Sequence, residues 1–127
     1  MPVITVLIAD DHAEYRLALR SSLDRETDIS VVGEAADGEA AILTAADLRP
    51  DVVLMDIAMP ELSGIEATRR IVAAWPECRV LAISLTEDPR RVHAIKLAGA
   101  QGFISKATVP ASLSGAIRKV AAGERYP

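Results

Sequence analysis

Five side chains at the ends of apolar runs are of types that together suit phosphoryl chemistry. Asp10 and Asp11 follow "VITVLIA" (3–9), and Asp56 follows "DVVLM" (51–55), with Ile57, Ala58, Met59 and Pro60 after it. Ser84 stands near the end of "RVLAISL" (79–85), and Lys106 follows "GFIS" (102–105). Singly, each has an ordinary explanation: an aspartate caps a helix or starts a turn, and a serine or lysine lies at the surface. If the runs are neighbouring strands, three carboxylates converge, and their repulsion raises their pKa values unless a cation is present. An all-oxygen set without His or Cys suits a hard ion such as Mg²⁺, which keeps several waters and often bridges to a phosphate. Aspartate carboxylates are nucleophiles in phosphoryl transfer. A hydroxyl and an ammonium beside one supply what stabilises a transferring phosphoryl group. Asp56 is therefore expected to be a phosphoryl acceptor.

The elements that must position these groups are legible as an alternation. The first, third and fourth apolar runs are nearly continuous in Val, Ile and Leu, as in parallel strands covered on both faces. The runs "ISVVGEA" (29–35) and "GFIS" (102–105) are shorter and more polar, which places them towards the edges. Helices are expected between them. Residues 13–24 carry Leu17, Leu19 and Leu23, and residues 38–48 carry Ile42, Ala45 and Leu48 before Pro50. Residues 64–75 stop at Pro76, and residues 89–98 start with Pro89 and end at Gly99. Residues 110–122 have Pro110 inside the start, Leu113, Ile117 and Val120 on one face, and Gly123 past the end. Short connections and right-handed crossovers then favour an α/β fold. It is a (βα)₅ doubly wound five-stranded parallel sheet in the flavodoxin-like order 2-1-3-4-5. In that order the first and third strands are neighbours, and sites form beyond the carboxyl ends where strand order reverses.

The chain's 127 residues suit one domain, and its apolar half and charged quarter suit a globular one. A net charge of −4 argues against a nucleic-acid surface. The pairs Arg69–Arg70 and Arg90–Arg91 read as solvated helix faces. The single cysteine, Cys78, excludes a disulfide framework and reads as a packed core thiol. No signal peptide opens the chain, and no apolar run approaches the roughly 18 residues of a membrane span, so a cytoplasmic location is expected. His12 and His93 read as surface residues.

The pieces "IADDH", "DVVLMDIAMPELSGIEATRRI", "VLAISL", "GAQGFISK" and "AIRKVAAGE" resemble the receiver domains of two-component response regulators. The resemblance covers essentially the whole chain and is strongest to the NarL/FixJ class, whose members usually continue into a helix-turn-helix DNA-binding domain. It implies a CheY-like receiver over residues 1–122, with 123–127 starting a linker to an output domain absent from this sequence. It further implies a non-enzymatic switch phosphorylated by a sensor histidine kinase. Carried over residue by residue, Asp56 is the phosphoacceptor. Asp11 binds Mg²⁺ directly, Asp10 binds largely through water, and Ala58 offers its backbone carbonyl. Ser84 and Lys106 bind the phosphoryl group, and Phe103 occupies the aromatic switch position, where a core ring is an equal reading. Homodimers through the first and last helices, or through the face of helix 4, strand 5 and helix 5, are the implied assemblies. The stripe including Leu113, Ile117 and Val120 is expected to leave apolar area exposed for the first of these. DNA is reached only through the absent domain. Ala107 stands where many receivers carry Pro, so a cis Lys106–Ala107 bond is costly.

Two other readings share parts of this pattern. A haloacid-dehalogenase-type phosphatase needs an acid/base two residues after its nucleophile, where this chain has Ala58. A flavodoxin-like carrier needs a phosphate cradle, whereas "ADDHAEY" is acidic. Ala58 and Thr86, two residues beyond the acceptor and the switch hydroxyl, are not strong bases, so a long-lived phosphoaspartate is expected.

Overall fold

The computed structural model describes residues 3–85, 88–107 and 112–127. Ten elements alternate along the chain: β1 (Ile4–Ala9), α1 (Ala13–Leu23), β2 (Ile29–Ala35), α2 (Gly38–Leu48), β3 (Val52–Asp56), α3 (Gly64–Ala74), β4 (Arg79–Ser84), α4 (Pro89–Leu97), β5 (Gly102–Ser105) and α5 (Leu113–Ala121). All strand pairs are parallel, and the sheet order is β2-β1-β3-β4-β5. The expected (βα)₅ topology is therefore the observed one. β2 lies at an edge as expected, although its seven residues make it no shorter than β1. Polarity decides its position, because its outer residues meet water.

Side-chain alternation along the central strands builds two cores from one sheet. Leu7, Ala9, Val53, Met55, Val80 and Ala82 point to one face, where Ala41, Ala45, Ala67, Ile71 and Ile95 of α2, α3 and α4 cover them. Val6, Ile8, Val52, Leu54, Leu81 and Ile83 point to the other, under Leu19, Leu23, Leu113, Ile117 and Val120 of α1 and α5. Alanines on α2 and α3 let those helices approach the sheet closely. Cys78 is wholly buried in the first core, as a packed thiol should be.

Two packing expectations need correction. Leu113, Ile117 and Val120 are wholly buried, so they leave no apolar area for a partner. Leu17, expected among the apolar residues of α1, is 64% exposed because Leu19 and Leu23 already span the contact with the sheet. Pro110 lies outside the described residues, as does Thr86.

Local chemistry sets the helix starts. The Asp37 side chain accepts a hydrogen bond from Ala40 N, Ser63 from Glu66 N, and Asp88 from Arg90 N, each satisfying an amide that has no partner inside its helix. Gly64 is demanded by proximity: a Cβ there would lie 2.0 Å from the Asp56 carbonyl oxygen. Residues 123–127 run beside the edge of the sheet, where Tyr126 N donates to the Gln101 carbonyl and Phe103 N to that of Tyr126.

Candidate functional site

Parallel register brings the strand ends level. Ala9 pairs with Met55, Asp56 with Ile83, and Ser84 with Ser105, so the residues following these positions share one end of the sheet. Asp10 N donates to the Ala35 carbonyl and Lys106 N to that of Ser84, which anchors both loops to the strands. The loop after β3 is closed by Gly64 N donating to the Ile57 carbonyl, and the Asp56 side chain faces the same space.

The predicted residues do meet. Lys106 Nζ donates to Asp10 Oδ2 at 2.8 Å and lies 3.5 Å from Asp56 Oδ2. Ala58 N donates to Asp56 Oδ1 at 3.1 Å. Asp10, Asp56 and Ser84 are buried, and Asp11 is half-buried. A cavity of about 220 Å³ is lined in part by Asp56, Ala58, Ser84 and Lys106. Phe103 is half-buried against the core on the α2–α4 face of the sheet. Among the described residues the cis peptide joins Tyr126 to Pro127, so Lys106–Ala107 is trans.

Burial pushes the Asp56 carboxyl above its ordinary 3.8, and the charge of Asp10 adds to this against the pull of Lys106. Burial works to lower the Lys106 ammonium, but the hydrogen bond to Asp10 and the charges of Asp56 and Asp10 outweigh it and raise its pKa. Three carboxylates thus face one ammonium, and the site is short of positive charge. One oxygen records the deficit. Asp11 Oδ1 is buried without a hydrogen-bond donor, the His12 ring nitrogen 3.2 Å away being poorly aligned to serve it. Ligand atoms of Asp10, Asp11, His12 and Asp56 all lie within 4.8 Å of one another. The oxygens of this cluster fit a hard divalent cation.

Three residues in this region were not singled out as functional from the sequence. His12 turns back so that its Nδ1 lies 3.2 Å from Asp10 Oδ1, although its side chain remains 68% exposed. Arg91, expected on a solvated face, lines the cavity that holds Asp56. Tyr15 places its ring under Lys106. Its place next to Asp11 put His12 near the pocket, where it read as a surface residue, but spacing carried no signal for Arg91 or Tyr15, whose contacts depend on helix rotation.

The fold and the acidic pocket are those of a phosphorelay receiver. The family model for the response regulator receiver domain matches residues 6–118, and the chain belongs to this family. It is similar to the response regulator GacA of Pseudomonas viridiflava, with 39% identity over 124 residues, covering 98% of this chain and 58% of GacA. The chain thus spans a little over half the length of the curated relatives it matches. Among solved structures, it resembles a LuxR-family two-component response regulator from Aurantimonas sp. SI85-9A1. The TM-score is 0.94 at 33% identity, covering 98% of this chain and 89% of that one. It also resembles RcsB in a structure of two RcsB dimers bound to two parallel DNAs. There the TM-score is 0.89 at 26% identity, covering 98% of this chain and 64% of that one. The Aurantimonas relative is of the LuxR family, and the family match makes this chain a signalling receiver domain. The phosphatase and flavin-carrier readings are not favoured. Among the described residues no helix is long and apolar enough to cross a membrane.

Proposed function

We propose that Asp56 accepts the phosphoryl group from a sensor histidine kinase or a small phosphodonor. An Asp56 carboxylate oxygen attacks phosphorus, the bond from phosphorus to the donor nitrogen or oxygen breaks, and the donor leaves with that electron pair. Ser84 and Lys106 bind the phosphoryl oxygens, the hydroxyl and ammonium offsetting the charge gathered there. A Mg²⁺ held by Asp11, Asp56 and the Ala58 carbonyl, with Asp10 largely through water, would supply further charge compensation. The observation that carries this reading is the meeting of Asp10, Asp11 and Asp56, with Lys106 paired to the first and last of them. Ala58 offers no acid/base for rapid hydrolysis, so the adduct persists as a signal.

In the relatives' full length, the signal would pass from this domain to a DNA-binding domain, with residues 123–127 beginning the linker. Phosphorylation would shift a dimerisation equilibrium. The burial of Leu113, Ile117 and Val120 means that a face of α1 and α5 would rely on residues such as Leu17. The alternative face of α4, β5 and α5 would couple to the pocket through Phe103.

Mass spectrometry after acetyl phosphate treatment, with and without Mg²⁺, tests the acceptor. The wild type should gain one labile phosphoryl group only with the metal, and Asp56→Asn should gain none. Equal labelling of the two proteins would refute the assignment.

A further inference from the structure

Lys106 has a third contact besides its two carboxylates. Its Nζ sits 4.2 Å from the centroid of the Tyr15 ring, close enough for the face of the ring to attract the ammonium. Tyr15 belongs to the first turn of α1, and a second cavity, of about 280 Å³, is lined by His12, Tyr15, Leu85 and Lys106. The Tyr15 hydroxyl is buried and makes no hydrogen bond. The hydroxyl therefore makes no polar contact with the site, and the part of Tyr15 that meets Lys106 is the face of its ring.

We propose that Tyr15 is a positioning residue whose ring holds the Lys106 ammonium beside Asp56 independently of Asp10. This rests on the reading of Asp56 as phosphoacceptor. Asp10 now binds Lys106 at 2.8 Å and is also a candidate cation ligand, and one carboxylate cannot fully compensate both charges. A contact that carries no formal charge does not change when Asp10 is drawn elsewhere. The ring face is that contact. It leaves the ammonium within reach of a phosphoryl oxygen on Asp56, now 3.5 Å from Lys106 Nζ by way of Asp56 Oδ2. Burial raises the Tyr15 pKa, partly opposed by Lys106, so the phenol stays neutral and its ring face stays available to a cation at neutral pH.

The test compares Tyr15→Phe, Tyr15→Leu and Tyr15→Met in the intact chain by two readouts. One is the carbon-13 and proton shift of the Lys106 ε-methylene with and without Mg²⁺, assigned by its absence in Lys106→Arg. The other is the rate of labelling by acetyl phosphate. An ε-methylene over a ring should be shifted upfield in the wild type and in Tyr15→Phe, with and without metal. Tyr15→Leu and Tyr15→Met, which fill space without a ring, should lose that shift and label about tenfold more slowly, within the range of a cation–π contact. Tyr15→Phe should retain most of the wild-type rate. Wild-type shift and rate in both aliphatic variants would overturn the proposal, as would a Tyr15→Phe variant as slow as Tyr15→Leu. If the wild type itself takes no label at Asp56, the acceptor reading fails, while the methylene shift still decides whether Tyr15 holds Lys106.

Discussion

Lys106 lies between Asp10 and Asp56 at the carboxyl end of the sheet, and Arg118 of α5 pairs with Asp28 and Glu26, which precede β2. Both clusters set one cation against two carboxylates. Arg118 binds Asp28 through two nitrogens, at 2.8 and 2.9 Å, in reach of water, with its side chain 41% exposed. The Lys106 side chain is 9% exposed, and its partners are more buried still. The consequences are opposite. The hydrogen bond from Arg118 holds Asp28 below the ordinary carboxylate range, whereas burial holds Asp56 above it. With Asp11 added, the buried cluster has charge left over for an incoming ligand. The surface cluster is complete in itself.

Removing the cation from each cluster should separate them most. Lys106→Met strands two buried carboxylates and should cost about 3 kcal/mol in urea unfolding, the low end for breaking a buried pair because Asp56 can take up a proton. Arg118→Met should cost far less, since water replaces the lost partner. Equal losses would mean that burial does not distinguish the two sites.

Metal should act on one cluster only. At 100 times its dissociation constant, Mg²⁺ should stabilise the wild type by about 2.7 kcal/mol. Asp11→Asn removes the unmet charge, so it should be more stable than wild type by about 1 kcal/mol in metal-free buffer and lose the response to Mg²⁺. A variant that still gains the full increment would show that Asp11 is not a ligand.

The smallest effect is in pH. Ionising Asp56 in the fold is disfavoured, so the stability it contributes is present below the unfolded value near 3.8 and is lost as pH rises through the folded value. Asp28 has the reverse sign: its contribution is present above 3.8 and is lost as pH falls through its folded value. In metal-free buffer, Asp56→Asn should match wild type at pH 3 and gain on it by pH 7, while Asp28→Asn should come nearest to wild type at the acid end and fall behind as pH rises. Urea midpoints across that range check both. Parallel curves for the two variants would contradict the assigned shifts.

Much of the fold was legible because each central strand is a run of residues that must be buried on both faces. Asp10, Asp11, Asp56, Ser84 and Lys106 stand at or just beyond strand ends, so parallel register alone brings them to one end of the sheet. The helix starts at Gly38, Gly64 and Pro89 were equally readable from local chemistry. What local pattern could not supply was rotation and depth. Leu113, Ile117 and Val120 read as a stripe, but only packing against β3, β4 and β5 shows that the stripe is consumed. Leu17 read only as one of the apolar residues of α1, and the fit of that helix on the sheet turns it outward.

The sequence by itself determined the order of elements, the end of the sheet where chemistry sits, and the acids and lysine gathered there, because burial and strand length are properties of contiguous residues. Only the tertiary structure decided that Tyr15 lies under Lys106, that His12 turns back on Asp10, that Arg91 lines the cavity and that Tyr126 pairs with the edge of β5. Each of those contacts joins residues whose approach depends on a helix rotation or a loop path. Such approaches are set by the packing of the whole core and by no local pattern.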